Sequence, residues 1–233
     1  MEERFLHDKF SLELLSVMAP WALRTLNEKT GGAFAAFRVK IEATDREIDL
    51  VFYNEEDGIV VVVEIYNRRN HDAICNIVEK GAMLYKKLKK EQKTVRRMRL
   101  VIVVTHKGLI PRDPVYDVYV ERGNVEIVVL EDLVKEYQDD AFVHLWWLAG
   151  QPKDLRKDWA KALEVQRMAA GKEEEPLINA FLVKLMTNKY KELDVAAIEA
   201  AFSPERGFVD PMTVPWYREI FERGEKHGIE KGR

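Results

Sequence analysis

The 233-residue sequence predicts an α/β fold in which a mixed sheet is flanked by helices and followed by an all-helical extension. Three observations carry this. Two Val/Ile-rich runs, at residues 59–66 and 100–105, bracket a stretch of helical spacing at 72–92, the order that a right-handed parallel crossover requires. Two further strand candidates precede them at close intervals and are followed by a hairpin loop. From residue 131 onward strand signals cease and only helical periodicity remains.

Taken in order, residues 10–26 read as helix, with Leu15, Met18, Ala22 and Leu26 on one stripe. Pro20 must kink that helix or begin its second half. Thr30-Gly31-Gly32 then ends it, because glycine permits the left-handed cap conformation. In the first strand Phe37, Val39 and Ile41 alternate with Arg38 and Lys40, which suits a sheet with one wet face. Residues 47–53 form a shorter mixed strand, and 54–58 supply the hairpin loop. The run at 59–66 suits a central strand buried on both faces. In the 72–92 helix the apolar stripe is Ile74, Ile77, Val78, Gly81, Leu84, Tyr85 and Leu88. Residues 125–130 make a sixth strand if 115–120 is also counted. Helices follow at 133–147, 155–170, 177–191 and 195–202, separated by breaks at 151–152, 171–176 and 203–215. Residues 1–135 are thus expected to form the α/β core, 136–222 a helical extension packed on it, and 223–233 a solvated, Gly-spaced tail.

Composition narrows the function classes. With 47% hydrophobic and 33% charged residues the chain is neither disordered nor collagen-like, and roughly 70% of its unfolded surface can be buried without staples. A lone cysteine, Cys75, excludes a disulfide framework and a thiolate zinc site. The longest apolar runs are about a quarter of a membrane span. Met1-Glu2-Glu3-Arg4 lacks the basic-then-apolar order of a signal peptide, so a cytoplasmic, reducing location with no membrane partner is expected. The sequence has no GxSxG, Walker A or GxGxxG pattern, and its five histidines show no paired metal-ligand spacing. Trp146-Trp147 suits helix core or a dimer contact, and a homodimer is the oligomer left open.

The most informative local feature is a carboxylate at the end of a buried strand. Glu64 closes the run Ile59-Val60-Val61-Val62-Val63, and ionised carboxylates are rarely buried without a partner. Asp49, between Ile48 and Leu50, raises the same problem. Antiparallel pairing about the 54–58 loop brings the two to neighbouring positions at one end of the sheet. Close carboxylates repel and one pKa rises unless a cation separates them; a hard divalent metal, magnesium or manganese, resolves the conflict. The structural alternative pairs Asp49 with Arg38 or Lys40, and Glu64 with Arg68 or Arg69. Glu47 shares the face of Asp49 and reads as an exposed hairpin residue or a third acid.

Charge distribution is the second feature. The formal net charge is −3, yet residues 68–107 hold twelve Lys/Arg against three acids, Asp72, Glu79 and Glu91. A basic block beside a carboxylate–metal site suits a phosphodiester substrate. A solvated helix end is the plainer explanation for Lys86, Lys87, Lys89 and Lys90.

Asp8-x-Phe10 with Glu13-Leu14-Leu15, then Arg46-Glu47-Ile48-Asp49-Leu50, the hairpin, and Val63-Glu64-Ile65-Tyr66 ahead of a basic helix resemble the PD-(D/E)XK nuclease superfamily. Within it, the closest likeness is to the group of recombination-promoting nucleases and transposase-like proteins, over roughly residues 7–150. The resemblance implies a restriction-endonuclease-like sheet, with Asp49, Glu64 and the backbone carbonyl of Ile65 holding magnesium or manganese. The motif lysine that assists the attacking water would stand at Tyr66; tyrosine donates a hydrogen bond but is neutral at pH 7. Lys80, which flanks the apolar stripe and can snorkel to the sheet edge, is the candidate replacement, and Lys40 its rival. The implied activity is magnesium-dependent DNA endonuclease chemistry linked to recombination or mobile elements. Asp49, Glu64, Tyr66 and Lys80 would be catalytic, and Arg68, Arg69, Lys86, Lys87, Lys89 and Lys90 would grip backbone phosphates. The competing expectation is a degenerate relative that binds nucleic acid or a protein partner and cuts nothing.

Overall fold

The computed structural model describes residues 2–26, 34–41 and 46–202, with side chains from residue 10 onward apart from 38, 40, 41 and 46. The expected helix end at Thr30-Gly31-Gly32, the 203–215 break and the 223–233 tail lie outside the described residues. The chain divides into two compact units, Met1–Gln138 and Asp139–Arg233. No helix among the described residues is long and apolar enough to cross a membrane.

The first unit opens with α1 (Glu2–Val17) and α2 (Ala19–Thr25). Pro20 sits in the first turn of α2, where its missing N–H leaves no gap in the helical ladder, so it begins the second half. Five strands follow: β1 (Ala35–Ile41), β2 (Arg46–Asn54), β3 (Ile59–Tyr66), β4 (Arg97–Val104) and β5 (Val125–Val129). They form one sheet in the order β1-β2-β3-β4-β5, antiparallel from β1 to β3 and parallel from β3 to β5. This is the expected mixed α/β architecture. The valines of β3 are fully buried on both faces because the strand is central, flanked by β2 and β4.

The crossover from β3 to β4 is α3 (Ala73–Lys90), whose Ile74, Ile77, Leu84 and Leu88 are buried against one sheet face. Val51, Tyr53, Val60, Val62, Ile102 and Val104 supply the other side of that core. Gly81 is required where the helix approaches the sheet: a Cβ there would stand 2.7 Å from Leu100 Cδ2. On the opposite face, Leu50, Phe52, Val61, Val63, Val101 and Val103 are buried. There the Arg99 guanidinium donates to the Leu26 carbonyl at 2.8 Å, tying the end of α2 to β4, and also pairs with Glu126 at 2.6 Å.

Three expectations need correction. Residues 115–120 are not a strand: α4 (Asp117–Glu121) forms there, because the Asp113 carboxylate accepts the Val115 and Tyr116 N–H groups and turns the chain into a helix. The Val- and Tyr-rich composition that suggests a strand leaves Val115 73% exposed. The single helix expected at 133–147 is two, α5 (Leu130–Glu136) and α6 (Ala141–Ala149), since Asp140 caps α6 by accepting the Val143 N–H at 3.2 Å. Leu130 accordingly starts a helix and does not end β5.

The second unit continues with α7 (Leu155–Ala169), α8 (Glu175–Lys189) and α9 (Val195–Ala201). Asp154 and Asp194 cap α7 and α9 as Asp140 caps α6. Its core holds Phe142, Trp146, Trp159 and Phe202, so Trp146 is interior and offers no dimer contact. Asp158, buried on α7, accepts from the Tyr190 hydroxyl at 2.5 Å and Lys189 Nζ at 2.7 Å, clasping α7 to the end of α8.

Two backbone positions test the architecture. Gly58, in the hairpin loop, has φ +65° and a Cβ there would meet Arg96 N at 3.2 Å. Gln92 closes α3 with φ 58° in a Schellman-type turn, in which Lys93 N–H donates to Leu88 O and Gln92 N–H to Lys89 O. A left-handed conformation costs a non-glycine residue about 1–2 kcal/mol. Gly58→Ala should therefore lower unfolding stability by about 1–2 kcal/mol, and Gln92→Gly should raise it by about 1 kcal/mol. Urea titrations of the two variants should move the midpoint in opposite directions.

Candidate functional site

The hairpin sets the site by register. Leu50 pairs with Val63, so the next positions outward, Asp49 and Glu64, face each other on the α3 side of the sheet. Each carboxylate reaches the other strand. The Asp49 N–H donates to Glu64 Oε1 at 3.2 Å, and the Ile65 N–H donates to Asp49 Oδ2 at 3.1 Å. Glu64 is only 2% exposed.

The third member comes from α3. Lys80 Nζ lies 2.6 Å from Glu64 Oε2, and the Tyr66 hydroxyl donates to that oxygen at 3.4 Å. Lys80 stands one residue before Gly81, so the close helix–sheet approach brings its amine over the strand ends. The ion pair of Glu64 is thus with Lys80 and not with Arg68 or Arg69. The rival Lys40 has its side chain outside the described residues.

A cavity of about 400 Å³ opens over these groups, lined by Asp49, Glu64, Ile65, Tyr66 and Lys80 together with Glu47, Asn67, Arg68, Asn70 and Asn76. Glu47 is exposed and belongs to the lining, which places it at the rim of the site. The three asparagines were not singled out from sequence. Asn76 had a signal, because it precedes Lys80 by four residues and must share its helix face. Asn67 and Asn70 follow the C-terminal end of β3, where open α/β sheets place their ligands.

The expected phosphate contacts separate into two groups. Arg68 lines the cavity, while Arg69 is exposed and donates to the Gly108 carbonyl at 3.4 Å. Lys86, Lys87, Lys89 and Lys90 are exposed in the last turns of α3 and do not line it. At 1.5 Å per residue, Lys90 lies about 15 Å along the helix from Lys80. The sheet agrees: Arg97, which follows the lysines, pairs with Ile59 at the far end of β3 from Glu64.

Electrostatics follow from this geometry. Glu64 is pushed up to about 7, first by burial and then by the Asp49 charge; the Lys80 charge and hydrogen bond and the Asp49 N–H pull it down without cancelling the rise. Burial, then the Glu64 and Asp49 charges, also hold the Tyr66 hydroxyl well above its ordinary value. Tyr66 is therefore a hydrogen-bond donor in this site and not a base.

The donor set suits a hard cation. Asp49 and Glu64 present carboxylate oxygens beside a cavity of about 400 Å³ that Ile65 also lines, hard donors of the kind magnesium takes together with several waters. Among the described residues no group of three or more His, Cys, Asp or Glu side chains is placed to hold a metal.

The folded chain retains a proton on Glu64 that the unfolded chain releases near 4.5, so this group's contribution to stability falls as pH rises from 4.5 to about 7 and is level above that. In metal-free buffer, the Tm of wild type relative to Glu64→Gln should decline across that window. Parallel Tm–pH curves for the two proteins would contradict the raised value.

The family model of a protein of unknown function, DUF2887, matches residues 22–202, a span that includes all five strands, α3 and the cavity. Neither the curated proteins nor the solved structures contain a match. With most of its length matched by that model, the chain belongs to the DUF2887 family.

Proposed function

We propose that the first unit is a magnesium- or manganese-dependent DNA endonuclease of the PD-(D/E)XK kind. The observation that carries the reading is the pairing of Asp49 and Glu64 across the hairpin, with Lys80 2.6 Å from Glu64 in the same cavity. A buried carboxylate beside a half-buried one costs stability, and such pairs cluster at functional sites.

Asp49, Glu64 and the Ile65 carbonyl would hold the metal, which when bound supplies Lewis acidity to a phosphoryl oxygen and a water of lowered pKa. The protein's own groups do the rest. Lys80 fixes Glu64 and places positive charge where a phosphoryl group gains negative charge. Tyr66 donates to Glu64 Oε2 and, keeping its proton, orients the carboxylate. Arg68 at the cavity wall receives a neighbouring phosphate, and the amides of Asn67, Asn70 and Asn76 offer neutral donors to phosphate or sugar oxygens. A role in recombination or mobile-element processing belongs to the same proposal, as does action in the cytoplasm.

Nicking of supercoiled plasmid in magnesium tests it. Asp49→Asn and Glu64→Gln should abolish nicking, and Lys80→Met should lower it by about a hundredfold or more, with unchanged circular dichroism. Equal nicking by wild type and all three variants would remove the assignment. The second reading, a nuclease fold that binds without cutting, draws on Tyr66 at the motif-lysine position. It is favoured if calorimetric titration with magnesium gives no heat that depends on Glu64.

A further inference from the structure

The cavity residues of α3 belong to a longer stripe. At 100° per residue, Asn76, Lys80, Met83, Lys87 and Lys90 fall within about 80° of one another around the helix. The stripe borders the buried face of Ile77, Leu84 and Leu88. It runs on the side of α3 that meets β1 and β2, since Lys93, just past the helix end, lies over the Phe37 and Tyr53 rings at 6.0 and 5.3 Å. Lys86 and Lys89 lie off the stripe, and Lys89 sits over the exposed Tyr85 ring at 5.4 Å. Lys87 and Lys90 are exposed and have no ion-pair partner among the described residues.

We infer that Lys87 and Lys90 form a backbone-contact path that leads DNA away from the cavity along α3. This rests on the cavity being a nucleic-acid site. The helix dipole accounts for little of the cluster: a helix C-terminus carries about half a negative charge, whereas Lys86, Lys87, Lys89, Lys90, Lys93, Arg96 and Arg97 crowd this end. Acids are present too, with Glu55, Glu56 and Asp57 in the hairpin loop and Glu91 paired to Lys93 at 3.9 Å. The three loop acids are not on α3, and Glu91, about 20° outside the stripe, is the nearest of the four to it and pairs with Lys93. Lys87 and Lys90 stand about 10 and 15 Å beyond Lys80, or about three and four to five nucleotide steps of a duplex at 3.4 Å each. The substrate must therefore continue several base pairs past the scissile phosphate, and sequence plays no part in this contact.

The test measures binding without turnover. Full-length Glu64→Gln is titrated onto a fluorescent 20-base-pair duplex in EDTA over a range of salt, alone and with Lys87→Gln/Lys90→Gln or Lys86→Gln/Lys89→Gln. The two double variants carry the same change in net charge. Losing two phosphate contacts at 0.1 M salt should weaken binding roughly fifty-fold and reduce the salt slope by about two for the on-stripe pair. The off-stripe pair should change affinity less than about threefold. Equal effects of the two pairs, or no effect of either, would overturn the path, as would absence of binding. Plasmid nicking by wild type and by Lys87→Gln/Lys90→Gln with Glu64 intact, measured in parallel, separates the claims. A path without cleavage leaves this inference standing and removes hydrolysis, whereas cleavage indifferent to Lys87 and Lys90 does the reverse.

Discussion

A carboxylate buried at the end of a valine strand is the constraint on which the first unit is organised. Glu64 is level with Val60 and Val62 on the face that α3 covers, where an ionised group without partners costs several kcal/mol. The structure compensates from three directions: a backbone N–H from β2, a phenol from the same strand and an amine from the crossover helix. The amine reaches only because Gly81 lets α3 settle onto Leu100. Sheet register, helix distance and site chemistry are therefore one arrangement, and none can be altered alone.

Much of this was legible in the sequence, for identifiable reasons. The strand at residues 59–66 announces itself because a central strand needs apolar residues on both faces, and the structure returns the same bounds. Asp49 and Glu64 were traceable to one another because a hairpin loop of known position fixes which residues oppose. Lys80 was traceable because helical phase placed it beside the apolar stripe. What failed was local competition. The Val- and Tyr-rich run at 115–120 imitates a strand, but Asp113 captures the backbone first. Asp140 likewise interrupts what periodicity reads as one helix. Capping by a single aspartate outweighs a pattern spread over several residues, and a pattern search does not see it. The cavity asparagines were missed because neutral amides carry no charge conflict to draw attention.

The charge pattern illustrates the difference between a sum and a distribution. A net charge of −3 argues against a polyanionic partner only if charge is evenly spread. Here the cations concentrate on α3 and the strand after it. The fold then divides them again, leaving Lys80 and Arg68 at the cavity and the remaining α3 lysines at the far end of the helix. Proximity in sequence placed all of them beside Glu64; an 18-residue helix running away from the site does not.

The β2–β3 hairpin has a consequence for how such a site can be lost. Side chains alternate along a strand, so a one-residue insertion in the 55–58 loop that shifted the pairing would carry Asp49 to the opposite face of the sheet. Every side chain that touches a ligand would still be encoded, and the cavity would be dismantled. The loop lies about 20 Å from Glu64 along β3. In a lineage of such chains, loop length there would be a more sensitive marker of retained chemistry than the presence of the acidic residues themselves.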